Sequence, residues 1–370
     1  MLLQTIPFYS LAPQHGAIHQ ELTRSLTSVF ETNWYILGKE VENFETEYAR
    51  FHGLGHCVGV GNGYDALYLA IRACRLEKND EIIVPANTYV ATWLAISNAG
   101  CKIVPVEPDP ATQTLDVGII EDHISPQTRA IMPVHLYGHP CNMRAILDIA
   151  DKHKLLVIED NAQSHGATWE GKITGSFGTI NATSFYPTKN LGAIGDGGAI
   201  TTSDPVLAGR VRRLRNYGFS QKNVCDEAGV NSRLDEMQAA VLRIKLRQLQ
   251  TWNRQRRHIA VQYLNLLRGI GDLGLPHAHG QAEHVYHLFV ITTSERDRLQ
   301  GYLARAGIET LIHYPCPPHL QKAYQYLGYK EGAFPITEVL AKNCLSLPLW
   351  PGMSDAQVEY VAETVRRFYL

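Results

Sequence analysis

Three segments of the chain carry residue types that can do chemistry together. In the first, Ser184-Phe185-Tyr186-Pro187-Thr188-Lys189-Asn190-Leu191-Gly192, a lysine closely follows a short apolar run and sits among hydroxyls and a glycine. A loop lysine is ordinarily just solvated. In a partly desolvated pocket its ammonium form is disfavoured, and the free amine becomes a nucleophile able to form a Schiff base. Ser184 could bond a phosphate. In the second, Ile158-Glu159-Asp160-Asn161-Ala162-Gln163, an apolar run ends directly in two acids. A buried carboxylate must be paired or hydrogen-bonded. Such an acid either caps a helix or holds a protonated pyridine nitrogen, which makes a pyridoxal-phosphate (PLP) ring an electron sink. The third is Gly59-Val60-Gly61-Asn62-Gly63-Tyr64-Asp65, between a strand pattern and a helical one. Glycines admit close backbone approach, and a helix start offers free N–H groups to an anion. The spacing does not fit G-x-G-x-x-G, so a tight turn capped by Asn62 or Asp65 competes with phosphate binding.

These segments need a scaffold that brings strand ends to one edge. Short runs rich in Val and Ile alternate with helical patterns as far as Thr202. Strands are expected at 56–60, 81–84, 102–106, 130–134, 155–158, 182–185 and 199–202, and helices between them at 65–74, 90–98 and 143–153. Such alternation predicts an α/β fold, with a mainly parallel sheet covered on both faces. Ligands of such sheets sit at the carboxyl ends of strands, where the turn, the acid and the lysine all fall.

From Arg233 the texture changes. Leu234, Met237, Val241, Ile244 and Leu249 recur at helical spacing, in a helix expected to run to about Leu267. Gly229-Val230-Asn231-Ser232-Arg233-Leu234-Asp235-Glu236 opens it, with Asn231 and Ser232 suited to capping. Arg254, Arg256 and Arg257 read as a solvated face. A loop at 269–281, a strand at 284–292, a helix at 295–306 and a strand at 309–313 complete a smaller α+β domain. The expected division is a large domain over 1–245 and a small one over 246–370.

The 370 residues, 45% apolar and 19% charged, suit a globular protein, and a net charge of −2 offers no general basic field for nucleic acid. Residues 1–14 lack the pattern of a secretory leader, and no apolar run suggests a membrane span. Seven scattered cysteines, never spaced as CxxC, argue against a disulfide framework or zinc site and for a reducing cytoplasm. His135 and His139 are four apart, but Gly138 and Pro140 break any helix that would align them on a metal.

Over essentially its whole length the chain resembles the DegT/DnrJ/StrS family of PLP-dependent sugar aminotransferases. The motifs that carry the resemblance run in order: 34–38 with Val41, Phe44 and Glu45; Gly61-Asn62-Gly63-Tyr64-Asp65-Ala66-Leu67; 85–92; 133–138; 159–166; 184–189; 215–218; and 229–236. It implies an aspartate-aminotransferase-like type I PLP fold with a seven-stranded sheet. By the same resemblance Lys189 carries pyridoxal 5′-phosphate covalently, with pyridoxamine phosphate as the aminated form. Asp160 faces the pyridine nitrogen, Gln163 lies beside the ring oxygen, and Tyr89 stacks on the ring. Gly63, Tyr64 and Ser184 match the phosphate cradle. Asn231 matches an asparagine that reaches the phosphate from a neighbouring subunit, which implies a homodimer with shared active sites. A dehydrating branch of the family has histidine in place of the lysine, so Lys189 favours transamination with L-glutamate as donor. Tyr64 stands where threonine is frequent, and Asn161 where alanine or cysteine is usual.

Residues 312–315 with His319-Leu320-Gln321, and Trp34-Tyr35-Ile36-Leu37-Gly38, resemble the branch that aminates dTDP-3-keto-6-deoxyhexoses. Its products are dTDP-3-amino-3,6-dideoxyhexoses for O-antigen, S-layer or antibiotic sugars. Tyr35, His313, Tyr314 and His319 are thereby expected at the nucleotide-linked keto-sugar, and so is Tyr186, three residues before Lys189. A packed domain junction is the competing reading of the histidines. The rival functions are amination at C4 of a dTDP- or UDP-4-keto-6-deoxyhexose, and a regulator that keeps the fold without the chemistry.

Overall fold

The computed structural model describes residues 5–277 and 280–370. Four residues of the 1–14 stretch and two of the expected 269–281 loop lie outside the described residues. Two helices that the sequence reading left unassigned open the chain. α1 (Ala12–Thr32) carries Pro13 in its first turn and buries Ile18, Leu22 and Val29. α2 (Lys39–Phe51) buries Val41, Phe44 and Tyr48.

β1 (His56–Val60) leads into α3 (Gly63–Ala73), β2 (Glu81–Pro85) into α4 (Val90–Asn98), and β3 (Lys102–Val106) into β4 (Thr128–Ile131). α5 (Met143–His153), β5 (Leu156–Asp160), β6 (Ile180–Ser184), β7 (Gly198–Thr202) and α6 (Pro205–Leu214) follow. The expected strands assemble into one seven-stranded sheet in the order β1-β7-β6-β5-β4-β2-β3. β2, β3, β4, β5 and β6 are parallel, and β7 is antiparallel to both β6 and β1. The carboxyl ends of every strand but β7 therefore reach one edge. Ile82, Ile83 and Val84 are fully buried. Each such aliphatic contributes roughly 1.5–3 kcal/mol, which is why these strands read as continuous apolar runs.

The helices start where the sequence supplies caps. Asn62 Oδ1 accepts the Asp65 N–H over 2.8 Å, and Asn142 Oδ1 that of Ala145 over 3.2 Å. α2 has no cap of its own and borrows one. Glu236 accepts the N–H groups of Gly38, Glu40 and Val41 over 2.8–3.0 Å from the first turn of α7 (Glu236–Leu267). The division expected at 245/246 falls inside this helix. Leu242 and Leu249 pack in the large core, whereas Ile259, Tyr263 and Leu267 pack with the small one.

The small core gathers β8 (Phe289–Thr292), α8 (Arg296–Arg305), β9 (Cys344–Leu347) and α10 (Asp355–Tyr369), with α9 (Pro335–Asn343) between α8 and β9. Two expectations here need correction. Only Phe289–Thr292 of the 284–292 segment is a strand, paired with β9. Before it, Val285 and Leu288 donate instead to the carbonyls of Gly138 and Tyr137, so the chain is drawn to the edge of the large sheet. The expected strand at 309–313 is a single bridge, Leu311 to Ser346, because Pro315, Pro317 and Pro318 follow and cannot extend a ladder. Arg256 also departs from its reading as a solvated residue. It is fully buried, with Nη1 3.2 Å from the carbonyl oxygen of Tyr286 and Nη2 3.2 Å from Tyr9 Oη.

Candidate active site

The carboxyl edge of the sheet and residues 287–288 and 313–314 enclose a cleft of about 620 Å³, a size usual for small-ligand sites. Gly63, Tyr64, Tyr89, Asp160, Gln163, Ser184, Tyr186, Lys189, His313 and Tyr314 all line it. The sequence-predicted turn, acid and lysine thus meet in one place.

Asp160 is the last residue of β5 and is 4% exposed. Its Oδ2 accepts from Thr92 Oγ1 over 2.9 Å and its Oδ1 from the Ala162 N–H over 3.1 Å. Burial raises the carboxyl above its ordinary range, against these hydrogen bonds and the charge of Lys189. A cation at the cleft would keep it ionised. Lys189 lies five residues beyond the end of β6, its N–H closing a turn onto the Tyr186 carbonyl over 2.8 Å. Burial lowers its ammonium to about 8, Asp160 opposing. About a tenth of the lysine is then neutral amine at pH 7, far more than for a solvated lysine, as a nucleophile and proton carrier needs.

Across the cleft, α3 points its start at Ser184. The N–H groups of Gly63 and Tyr64 have no partner among the described residues, as the first donors of a helix do. A Cβ on Gly63 would stand 2.4 Å from Ser184 Cβ, so only glycine permits this approach. Segment 229–236 braces the turn: Ser232 Oγ donates to Asp65 Oδ2 over 2.6 Å and accepts the Gly61 N–H over 2.9 Å. Arg215 and Glu45 hold the strand before it. Glu45 accepts the Gly59 N–H over 2.8 Å, and Arg215 bonds both Glu45 and the Gly59 carbonyl. Two free N–H groups with a hydroxyl beside them suit a phosphate. A buried acid and a low-pKa lysine suit a pyridine ring bearing a carbonyl. The residues present therefore fit PLP.

Gln163 Oε1 accepts the Tyr137 N–H over 2.6 Å, and its Nε2 lies 3.0 Å from Tyr314 Oη. The Tyr314 ring in turn lies 5.2 Å from that of the exposed Tyr89. His313 Nδ1 is 2.8 Å from Ser346 Oγ, and burial with Lys189 lowers its pKa to about 4.

Three expected residues lie elsewhere. His319 is a correction: its ring is buried 3.0 Å from Glu338 Oε1 and against Phe334, and it packs the small domain instead of lining the cleft. Tyr35 lies on the exposed connection between α1 and α2, and Asn231 is exposed before α7; neither lines this chain's own cleft.

Sequence reasoning missed Thr92 and the pair behind Asp160. His135 Nδ1 accepts the Cys141 N–H over 3.0 Å, so the ring hydrogen is on Nε2 and points at Glu159 over 2.8 Å. Glu159 also accepts the N–H groups of Gly175, Phe177 and Gly178. Burial favours its neutral acid, yet these donors hold the carboxyl below its ordinary range. Asn161, unexplained by the sequence, braces β6 by donating to Thr183 Oγ1 over 3.2 Å.

The model of the DegT/DnrJ/EryC1/StrS aminotransferase family matches residues 17–366. A dTDP-3-amino-3,6-dideoxy-alpha-D-galactopyranose transaminase of Aneurinibacillus thermoaerophilus is 49% identical over 98% of this chain and 99% of its own. A dTDP-3-amino-3,4,6-trideoxy-alpha-D-glucose transaminase of Streptomyces venezuelae is 46% identical over 98% of this chain and 96% of its own. The crystal structure of S. venezuelae DesV in complex with a ketimine intermediate superposes with a TM-score of 0.97 at 46% identity, covering 99% of this chain and 98% of that one.

Proposed function

The chain belongs to the DegT/DnrJ/EryC1/StrS aminotransferase family, and from that premise we propose that it moves an amino group from L-glutamate to a dTDP-3-keto-6-deoxyhexose. The product is a dTDP-3-amino-3,6-dideoxyhexose for a surface glycan or an antibiotic. The chain is an aminotransferase with PLP as its cofactor. The observation that carries the reading is the opening of Lys189 and Asp160 into one cleft, opposite a free helix start.

Gly63, Tyr64 and Ser184 would hold the phosphate, Tyr89 the ring face, Gln163 the ring oxygen and Asp160 the ring nitrogen. When bound, the cofactor supplies an electrophilic carbonyl and an electron-sink ring, which weaken the C–H bond beside an attached amino group. Lys189 Nζ, able to gain or lose a proton near pH 8, would carry away the proton of the glutamate α-carbon. In the second half-reaction it would deliver a proton to the sugar carbon that gains the amino group. Asp160 would keep the ring nitrogen charged, and Thr92, bonded to its Oδ2, would keep Asp160 in place. Tyr186, His313 and Tyr314 line the space left for the hexose.

Asn231 would complete the phosphate site of a second copy, in a homodimer with shared active sites. Its exposure outside its own cleft supports this reading. Seven unpaired cysteines suit a reducing cytoplasm. The test is to incubate holoenzyme with glutamate and a panel of dTDP- and UDP-keto-sugars and identify the aminated carbon by NMR. Amination at C3 of a dTDP-sugar is expected; amination only at C4, or only of UDP-sugars, overturns the substrate.

A further inference from the structure

His287 lines the cleft with Lys189 and has no part in the steps above. Its protonation is set by its neighbours. Asn190 Nδ2 lies 3.1 Å from the Val285 carbonyl oxygen, which can only accept, and 2.9 Å from Asn253 Oδ1. Asn253 is oriented in turn, because its Nδ2 donates to the His165 carbonyl over 2.8 Å. Asn190 therefore presents Oδ1, an acceptor, to His287 Nδ1 at 3.3 Å. Nδ1 must carry the ring hydrogen. A second proton on Nε2 would create a buried imidazolium. Burial first, then the charges of Lys189 and Arg256, hold this ring well below the ordinary histidine range. Nε2 is left as a lone pair, with no hydrogen-bond partner among the described residues.

Tyr314 has the opposite polarity. Gln163 Oε1 is committed to the Tyr137 N–H, so its Nε2 donates to Tyr314 Oη, and the phenol hydrogen is left for another acceptor. One cleft thus holds a fixed acceptor and a free donor.

We propose that His287 is a specificity-determining residue, its Nε2 accepting a hydrogen bond from one of the two hydroxyls that flank the reacting carbonyl of the keto-hexose. This rests on the sugar reading above. The carboxylates of glutamate and the diphosphate of the nucleotide only accept, so a lone pair repels them. An α-hydroxy ketone offers a donor beside an acceptor and matches His287 together with Tyr314. A substrate without that hydroxyl leaves the buried acceptor bare, which is the costly case.

The experiment compares kcat/KM for the keto-hexose and for its two analogues, each deoxygenated at one of the neighbouring carbons. Wild type should favour the hydroxylated sugar over one of them by at least about tenfold. His287→Leu should shrink the ratio to about twofold or less while leaving the glutamate half-reaction, followed by cofactor absorbance, within about threefold. His287→Gln, whose Oε1 can accept, should restore part of the discrimination. In 15N spectra of the holoenzyme, the resonance lost in that variant should show the Nδ1–H tautomer. An unchanged ratio in His287→Leu, an equal fall in both half-reactions, or a hydrogen on Nε2 overturns the inference. Should wild type take the amino group from glutamate yet pass it to no keto-hexose, the sugar reading itself fails, and this inference with it.

Discussion

Thr92 Oγ1 lies 2.9 Å from Asp160 Oδ2, tying the first turn of α4 to the end of β5 at the floor of the cleft. Asp160→Asn is nearly isosteric and should fold, but an amide cannot stabilise a protonated ring nitrogen by charge. Its kcat should fall by about a hundredfold or more, as when a preorganised electrostatic partner is removed. Thr92→Val should cost only about tenfold, since the Ala162 N–H still holds Oδ1. Steady-state kinetics decide both, and an Asp160→Asn variant near wild-type kcat would remove Asp160 from its assigned role.

Lys189 should be the residue to which borohydride fixes the cofactor, as read by peptide mapping. Lys189→Ala should bind PLP without a covalent bond and lose turnover, because no other amine lines the cleft among the described residues. The ammonium cannot attack and the neutral amine can. With a pKa lowered to about 8, the rate of covalent PLP uptake by cofactor-free protein should climb as pH rises towards 8 and level off above it. A rate still climbing in proportion to hydroxide near pH 10 would place the lysine in ordinary solvent.

Much of this was legible because each signal was local. Ile82–Val84 is apolar throughout since both faces are covered, and Asp160 and Lys189 stand just past strand ends, where open sheets place ligands. What failed was non-local. His319 shares a proline-rich segment with His313, but sequence proximity does not say which way a ring turns, and Glu338 on α9 captures it. Arg256 sits between two other arginines of α7 and looks solvated until Tyr286 and Tyr9 arrive from distant parts of the chain. Thr92 is an ordinary helical threonine until β5 lies beside it. The borrowed cap of α2 is equally silent, because Glu236 is 198 residues from Gly38.

Gly63→Ala tests the phosphate cradle. The new methyl would stand 2.4 Å from Ser184 Cβ, and neither α3 nor β6 can move far in a packed sheet. Overpacking of this kind costs roughly 1–3 kcal/mol. Equilibrium dialysis should show PLP bound about tenfold to a hundredfold more weakly. Unchanged affinity would mean that the phosphate sits elsewhere.

His135→Leu tests the support behind Asp160. Glu159 would lose the imidazole donor but keep its backbone N–H partners, so the loss at neutral pH should be about 2 kcal/mol, read from the denaturation midpoint. The sign with pH follows from the lowered carboxyl of Glu159. A depressed carboxyl contributes stability that is fully present above its unfolded value of 4.5 and is lost as pH falls. Wild-type Tm should therefore drop on acidification below that value, and the variant, with a smaller depression, should drop less steeply. Parallel Tm curves would show that His135 does not set the Glu159 carboxyl.

Asn231 offers the sharpest test of a shared site. It is exposed and lies outside its own cleft, at the entry to α7, whereas Lys189 lines that cleft. If the phosphate site of each copy is completed by its neighbour's Asn231, Lys189→Ala and Asn231→Ala damage different halves of the same site. Mixed after unfolding and reassembly, the two variants form heterodimers. In each, one site pairs the intact Lys189 of one chain with the intact Asn231 of the other, and the second site carries both defects. Random mixing makes half of the dimers hybrid, each with one whole site, so activity should recover to about a quarter of wild type. If Asn231 served its own chain instead, every site in every mixture would carry one defect, and mixing would only average the two variants. Recovery above that average, measured against each variant refolded alone, distinguishes the arrangements without requiring a structure of the dimer.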